Sequence, residues 1–153
     1  MKYPSISFIQ EVIMAFNKSS LSTYSIADKT VAAGDSVVFD VNRVLTGCSI
    51  RHCPGSAVVT LASAGLYTGA FNANFTATAT GAVTFQLYRN GVAVPGAEAT
   101  HQATANVPIA VAFPIHELVR PSCVAIDNTA YLQVQVSAAG VVNTANIDIV
   151  KDA

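Results

Sequence analysis

Residues 56–96 read SAVVTLASAGLYTGAFNANFTATATGAVTFQLYRNGVAVPG, and the punctuation of this stretch decides the fold class. Val58, Val59 and Leu61 run into a turn at Ala64-Gly65; Tyr67, Phe71 and Phe75 then recur among small residues until Gly81 breaks the run. Val83, Phe85 and Leu87 next alternate with Thr84, Gln86 and Tyr88. Alternation of period two marks a strand with one face buried. Asn90-Gly91 follows at once, and a tight hairpin turn requires positive φ at both central residues, which Asn and Gly tolerate best. The return run, Val92-Ala93-Val94, ends at Pro95-Gly96.

Composition sets outer limits on the rest. With 153 residues, 52% of them hydrophobic, the chain has one domain's length and ample material for a core. Only 11% are charged, against roughly a quarter in an average soluble domain. Ser, Thr, Asn and Gln must therefore cover the exterior, or part of it must be buried against other subunits. A net charge of −1 with scattered basic residues offers nothing to a polyanion, so no nucleic acid is expected. No apolar run reaches the ~18 to 20 residues of a membrane span.

Outside the opening stretch, residues 1–25 read as an N-terminal arm and 26–153 as the domain. Ile6, Ile9, Val12, Ile13 and Phe16 fall at helical spacing, with Ser7 and Gln10 placed for a capping box. The alternative is that residues 1–13 are untranslated: Gln10-Glu11-Val12 can be encoded by CAG-GAG-GTN, which contains a purine-rich ribosome-binding sequence just before Met14. Residues 19–24 read as a polar linker. Residues 36–41 (SVVFDV) read as a strand, and 42–51 as a short strand or irregular crossing closed by a turn at His52-Cys53-Pro54-Gly55. Residues 97–104 (AEATHQAT) read as a polar strand or loop, and 107–115 (VPIAVAFPI) as a strand without a polar face, hence covered on both sides. That double coverage is the internal sign of oligomerisation. Leu132, Val134 and Val136 alternate with Tyr131, Gln133 and Gln135, and Ile147 and Ile149 with Asp148 in the closing strand. The expected fold is all-β, an antiparallel jelly-roll sandwich of about nine or ten strands with a short N-terminal arm or helix.

The succession GLYTGAF at 65–71, the break at Gly81, VTFQLYRNG at 83–91 and VPG at 94–96 resembles the jelly-roll heads of the tumour-necrosis-factor and complement-globular-head superfamily, in particular its bacterial and phage branch. That branch includes the heads of collagen-like spore-surface glycoproteins and small phage structural proteins; no collagen-like stalk is present here. The resemblance implies a homotrimer used for assembly or display, without catalysis. It implies a threefold contact at Tyr67, Phe71, Val107, Ile109, Val111, Phe113 and Tyr131, and a place on a virion assembled in the bacterial cytoplasm. The alternative location is a bacterial or spore surface. The arm would dock the trimer onto other virion proteins. A different class of function, a carbohydrate- or receptor-binding module, would use Tyr88, Asn90 and His101, because Tyr88 and Tyr131 fall on the polar phase of their strands and a surface glycan could stack there.

Catalytic and metal chemistry find little support in the residues. Cys48, Cys53 and Cys123 lack the paired spacing of a zinc site, and their odd number argues against a secreted disulfide framework. They read as small buried thiols in the core. His52-Cys53 and His116-Glu117 are strand neighbours whose side chains point to opposite faces, and no nucleophile elbow, phosphate loop or H-E-x-x-H occurs. No cofactor is expected.

Overall fold

Most of the long strands among the described residues bury alternate side chains, and two sheets built this way close over one aromatic core. The computed structural model describes residues 18–121, 123 and 128–152. The helix, docking-arm and start-site readings of the first 17 residues lie outside the described residues. In chain order the strands are β1 (Ser20–Tyr24), β2 (Lys29–Val31), β3 (Val41–Thr46), β4 (Ile50–Arg51), β5 (Val59–Leu61), β6 (Gly65–Ala77), β7 (Gly81–Arg89), β8 (Val92–Ala103), β9 (Pro108–Val119), β10 (Ala130–Val136) and β11 (Gly140–Lys151). Sheet A is ordered β3-β1-β11-β6-β9, with β2 also on β11, and sheet B is ordered β4-β5-β10-β7-β8. All pairings are antiparallel. From β6 onward the chain switches sheets at every connection except the β7–β8 hairpin, as a jelly roll requires. The all-β jelly-roll expectation holds, with eleven strands among the described residues.

Phe71 is the hub of the core. Its ring stacks on Phe113 at 5.1 Å and on Phe85 at 5.7 Å between centroids, and meets Phe39 edge-on at 6.3 Å. Phe75 meets Phe85 edge-on at 5.4 Å, so one aromatic chain ties both sheets together. The hairpin between β7 and β8 has Asn90 at φ 52° and Gly91 at φ 83°, the two positive values expected from the dipeptide. Gly69 is required for a different reason. It lies opposite Ile149 where β6 runs beside β11, and a Cβ there would overlap the carbonyl oxygen of Asp148.

Several local expectations are corrected. Residues 20–24 are not a linker but β1, inserted between β11 and β3 with Leu21 and Thr23 buried, so the sheet begins before residue 26. Ser20, Ser22 and Tyr24 fill its outward phase, and the buried Thr23 dilutes its apolar phase. Residues 36–41 do not form a continuous strand: Val37 and Phe39 are buried, yet residues 36–40 pair only through single bridges at Ser36 and Phe39, and Val41 already belongs to β3. The two segments around Pro95-Gly96 are one strand, β8, carrying a bulge where its register on β7 shifts between Gln86 and Tyr88. Gly96 adopts φ 83° there, and Gln86 Nε2 donates to the carbonyls of Leu87, Val94 and Ala97 at 3.1, 2.7 and 3.2 Å. Finally, within a single chain β9 is buried on one face, and the second cover expected of it would come from another copy. Its outward residues Pro108, Ala110, Ala112 and Pro114 are exposed. They lack polar groups because they are Ala and Pro, and a Pro-bearing strand suits the sheet edge that β9 occupies.

Candidate functional site

The residues singled out for contact and recognition divide among the core and two opposite faces. Tyr67, Phe71, Val111 and Phe113, expected at a threefold contact, are instead core residues, 0%, 0%, 2% and 3% exposed within a single chain. Their strands turn this phase inward, and Tyr67 also anchors its hydroxyl on the Ser63 carbonyl at 2.7 Å. A second copy cannot reach them. Ile109 is partly buried against the core, while Val107 and Tyr131 are 48% and 51% exposed. The last two lie at opposite ends of the sandwich. The residue before Val107 bonds to Ala77 at the end of β6, whereas Tyr131 bonds to Asn90 beside Arg89, whose side chain reaches Leu118 of β9, opposite Leu66 at the start of β6.

The outer face of sheet A is built from small side chains in register. One row runs Tyr24, Asn146, Asn72, Ala112 across β1, β11, β6 and β9. The next runs Ser22, Asp148, Ala70, Pro114. The third runs Ser20, Val150, Thr68, His116. Asn74 and Thr144, which share a 2.9 Å hydrogen bond, extend the face toward Ala110. A groove of about 600 Å³ crosses it, with Arg43 at one side and His101 at the other. The Arg43 guanidinium sits over the Tyr24 ring at 4.9 Å from its centroid. Sequence reasoning missed this face. The polar phase of Asn72 and Asn74 between Phe71 and Phe75 is readable, but their meeting with Asn146 is not.

The outer face of sheet B carries Tyr88, Gln86 and Thr84 from β7 beside Gln133 and Gln135 from β10. Gln133 pairs with Tyr88, which makes Tyr131 its diagonal neighbour on the same face. Asn90 accepts the Tyr131 N–H through Oδ1 at 2.8 Å and donates its own N–H to the Tyr131 carbonyl at 2.9 Å, fixing the Tyr131 backbone. His101 is not part of this group. It pairs with Val83, on the opposite phase from Tyr88, and borders the groove on sheet A.

The three cysteines are exposed and unpaired, not buried in the core. Cys48 and Cys53 fall in the connections after β3 and β4, where no sheet covers them. Among the described residues no group of His, Cys, Asp and Glu is assembled that could hold a metal ion. His52 is structural: Nδ1 lies 2.6 Å from Asn42 Oδ1 and Nε2 lies 2.8 Å from the Ser56 carbonyl oxygen. Glu117 is the one inward-facing carboxylate of β9, only 7% exposed, with Oε1 lacking any hydrogen-bond partner and Oε2 3.9 Å from Arg89. Burial pushes its carboxyl above the ordinary range, an effect that Arg89 and His116 only partly offset. Asp40 moves the other way: desolvation raises it, but the Ile26 N–H and the Lys29 ammonium at 3.0 Å bring it below the ordinary value.

No protein-family model matches the sequence, and no curated protein matches it in sequence. Solved structures match it in fold. The Eiger TNF of S. frugiperda has 9% identity and a TM-score of 0.68, covering 90% of this chain and 94% of that one. The globular domain of zebrafish complement 1qA protein has 11% identity and a TM-score of 0.65, covering 86% and 95%. The PRD1 vertex protein P5 has 15% identity and a TM-score of 0.56, covering 90% and 99%. At such identities the likeness is one of fold, and the fold is the jelly roll shared by tumour-necrosis-factor and complement-globular heads.

Proposed function

We propose that this chain is a non-enzymatic structural head that assembles as a homotrimer through the outer face of sheet A, for assembly or display on a bacteriophage virion. The observation that carries the trimer is the composition of that face. The three rows given above bear no Lys, Arg or Glu and a single Asp, and their side chains are mostly Ser, Thr, Asn, Ala and Pro. Small, uncharged side chains let the sheet of one copy approach an edge of the next with little desolvation of charge. The low overall charge, 11% of residues, supports the same reading. In the trimer the groove between Arg43 and His101 is filled by the neighbouring copy, and sheet B faces outward. The virion assignment draws its support from the fold likeness to the PRD1 vertex protein P5. Attachment to other virion proteins through residues 1–17 is part of the proposal.

Native mass spectrometry of the full chain tests the assembly. The expected species has three times the chain mass, and Ala112→Arg, which sets a guanidinium on the edge strand of the face, is expected to yield a folded monomer. A monomeric wild-type chain at micromolar concentration would refute the trimer. A trimer indifferent to Ala112→Arg would remove the contact from this face. Finding the chain by mass spectrometry in purified particles of the encoding phage tests the virion role.

A further inference from the structure

We propose that the cleft on the outer face of sheet B binds one unit of a neutral saccharide, with Tyr88 as its stacking wall. The cleft has a volume of about 220 Å³ and lies between β7 and β10. Thr84, Gln86 and Tyr88 line it from one strand, Gln135 and Ser137 from the other side. Gln135 stands opposite Gln86 in the register; the Gln86 NH2 is taken up by carbonyls of β7 and β8, so Gln135 offers the free amide, and half-exposed Tyr131 extends the aromatic surface diagonally beyond Tyr88.

The chemistry of these groups selects the ligand by elimination. None of the lining side chains is Asp, Glu, Lys, Arg or His, so charge complementarity favours an uncharged ligand over a phosphate, an acidic sugar or a basic peptide. Thr84 Oγ1 is paired with Thr100 Oγ1 and Ser137 Oγ accepts the Thr84 N–H, each at 2.8 Å, but an apolar ligand would strip water from the Gln135 amide and the Tyr88 hydroxyl and leave them without partners, a loss comparable to that of an unmade hydrogen bond. A polyhydroxylated ring satisfies both demands: its hydroxyls meet groups that donate and accept, and its C–H face covers the Tyr88 ring. The volume admits one ring and not an extended peptide. The site is also held in shape before any ligand arrives. The Gln86 amide is fixed by its three bonds across the β8 bulge, and Ser36 Oγ donates to Gln133 Oε1 at 3.2 Å beside Tyr88. Because this face is opposite sheet A, the inference is independent of the oligomeric state.

The test is a titration of the ¹⁵N-labelled full chain with glucose, galactose, mannose and N-acetylglucosamine, with glucuronate as the charged comparison, followed by amide chemical shifts. The expected result is saturable binding of at least one neutral sugar in the millimolar range, with shifts at Thr84, Gln86 and Gln135. Tyr88→Ala should weaken it about three- to tenfold. Tyr88→Phe, which keeps the ring and the fold, should retain it, as should His101→Ala. The proposal is overturned by the absence of saturable binding with all four neutral sugars, by shifts confined to residues outside the cleft, by glucuronate binding as tightly as the neutral sugars, or by an unchanged affinity in folded Tyr88→Ala.

Discussion

Replacing Glu117 by Gln should stabilise this protein at neutral pH and leave it unchanged in acid. Glu117 sits near the end of β9, 7% exposed, with one carboxylate oxygen unpartnered and the other 3.9 Å from Arg89, beyond hydrogen-bond range. Leaving a buried polar oxygen unpaired costs about 1–3 kcal/mol, more when it is charged. The Arg89 attraction returns roughly 1 kcal/mol or less, given the partial exposure of that guanidinium. Gln removes the charge, keeps the shape, and leaves Arg89 bonded to the Leu118 carbonyl at 2.8 Å. The net gain is therefore about 1 kcal/mol, or roughly 2–4 °C in Tm for a domain of this size. The sign with pH follows from the raised carboxyl value. When the folded-state pKa exceeds the unfolded one, the penalty is present above the folded pKa, shrinks as the group protonates, and is absent below the unfolded value of about 4.3. Thermal melts by circular dichroism between pH 4 and pH 8, at fixed protein concentration, should show the variant's advantage at pH 7–8 and its disappearance near pH 4. A loss of stability at pH 7, or a gain that does not vary with pH, would refute the reasoning.

Two further outcomes follow from close packing and from exposure. Gly69→Ala places a methyl on the Asp148 carbonyl oxygen and must part β6 from β11, costing about 3 kcal/mol or more, which chemical denaturation should register as a lower midpoint with little change in slope. Cys48, Cys53 and Cys123 should all react with a thiol reagent in the native protein, without the lag that unfolding would impose; a fraction that reacts only in denaturant would contradict their exposure.

The strands that alternate strictly were legible, and so was the turn that joins two of them. Val83, Phe85 and Leu87 enter the core as their spacing predicts, and Asn90-Gly91 takes the backbone values for which that dipeptide is suited. Both signals are local, since a strand's side chains alternate by geometry and a turn's φ values are a property of its own residues. From them the all-β class and the outward phase of Tyr88 and Tyr131 follow. Partnership was not legible. Residues 20–24 look like a linker until they lie between β3 and β11, where Ser25 Oγ accepts the Ala145 N–H from 120 positions away. The run at 107–115 looks doubly buried because Ala and Pro count as apolar wherever they point. Its place at the edge of sheet A, with one face open within a single chain, depends on β6 pairing along it. Tyr67 and Phe71 could not be divided between core and contact for the same reason: alternation says that a side chain faces one side of a sheet, and only the opposing sheet makes that side the interior. The groove of Arg43 and His101 and the cleft of Gln86, Tyr88 and Gln135 each join distant segments. Composition and periodicity along the chain settled the strand class; register between strands, a long-range property, brought these residues together.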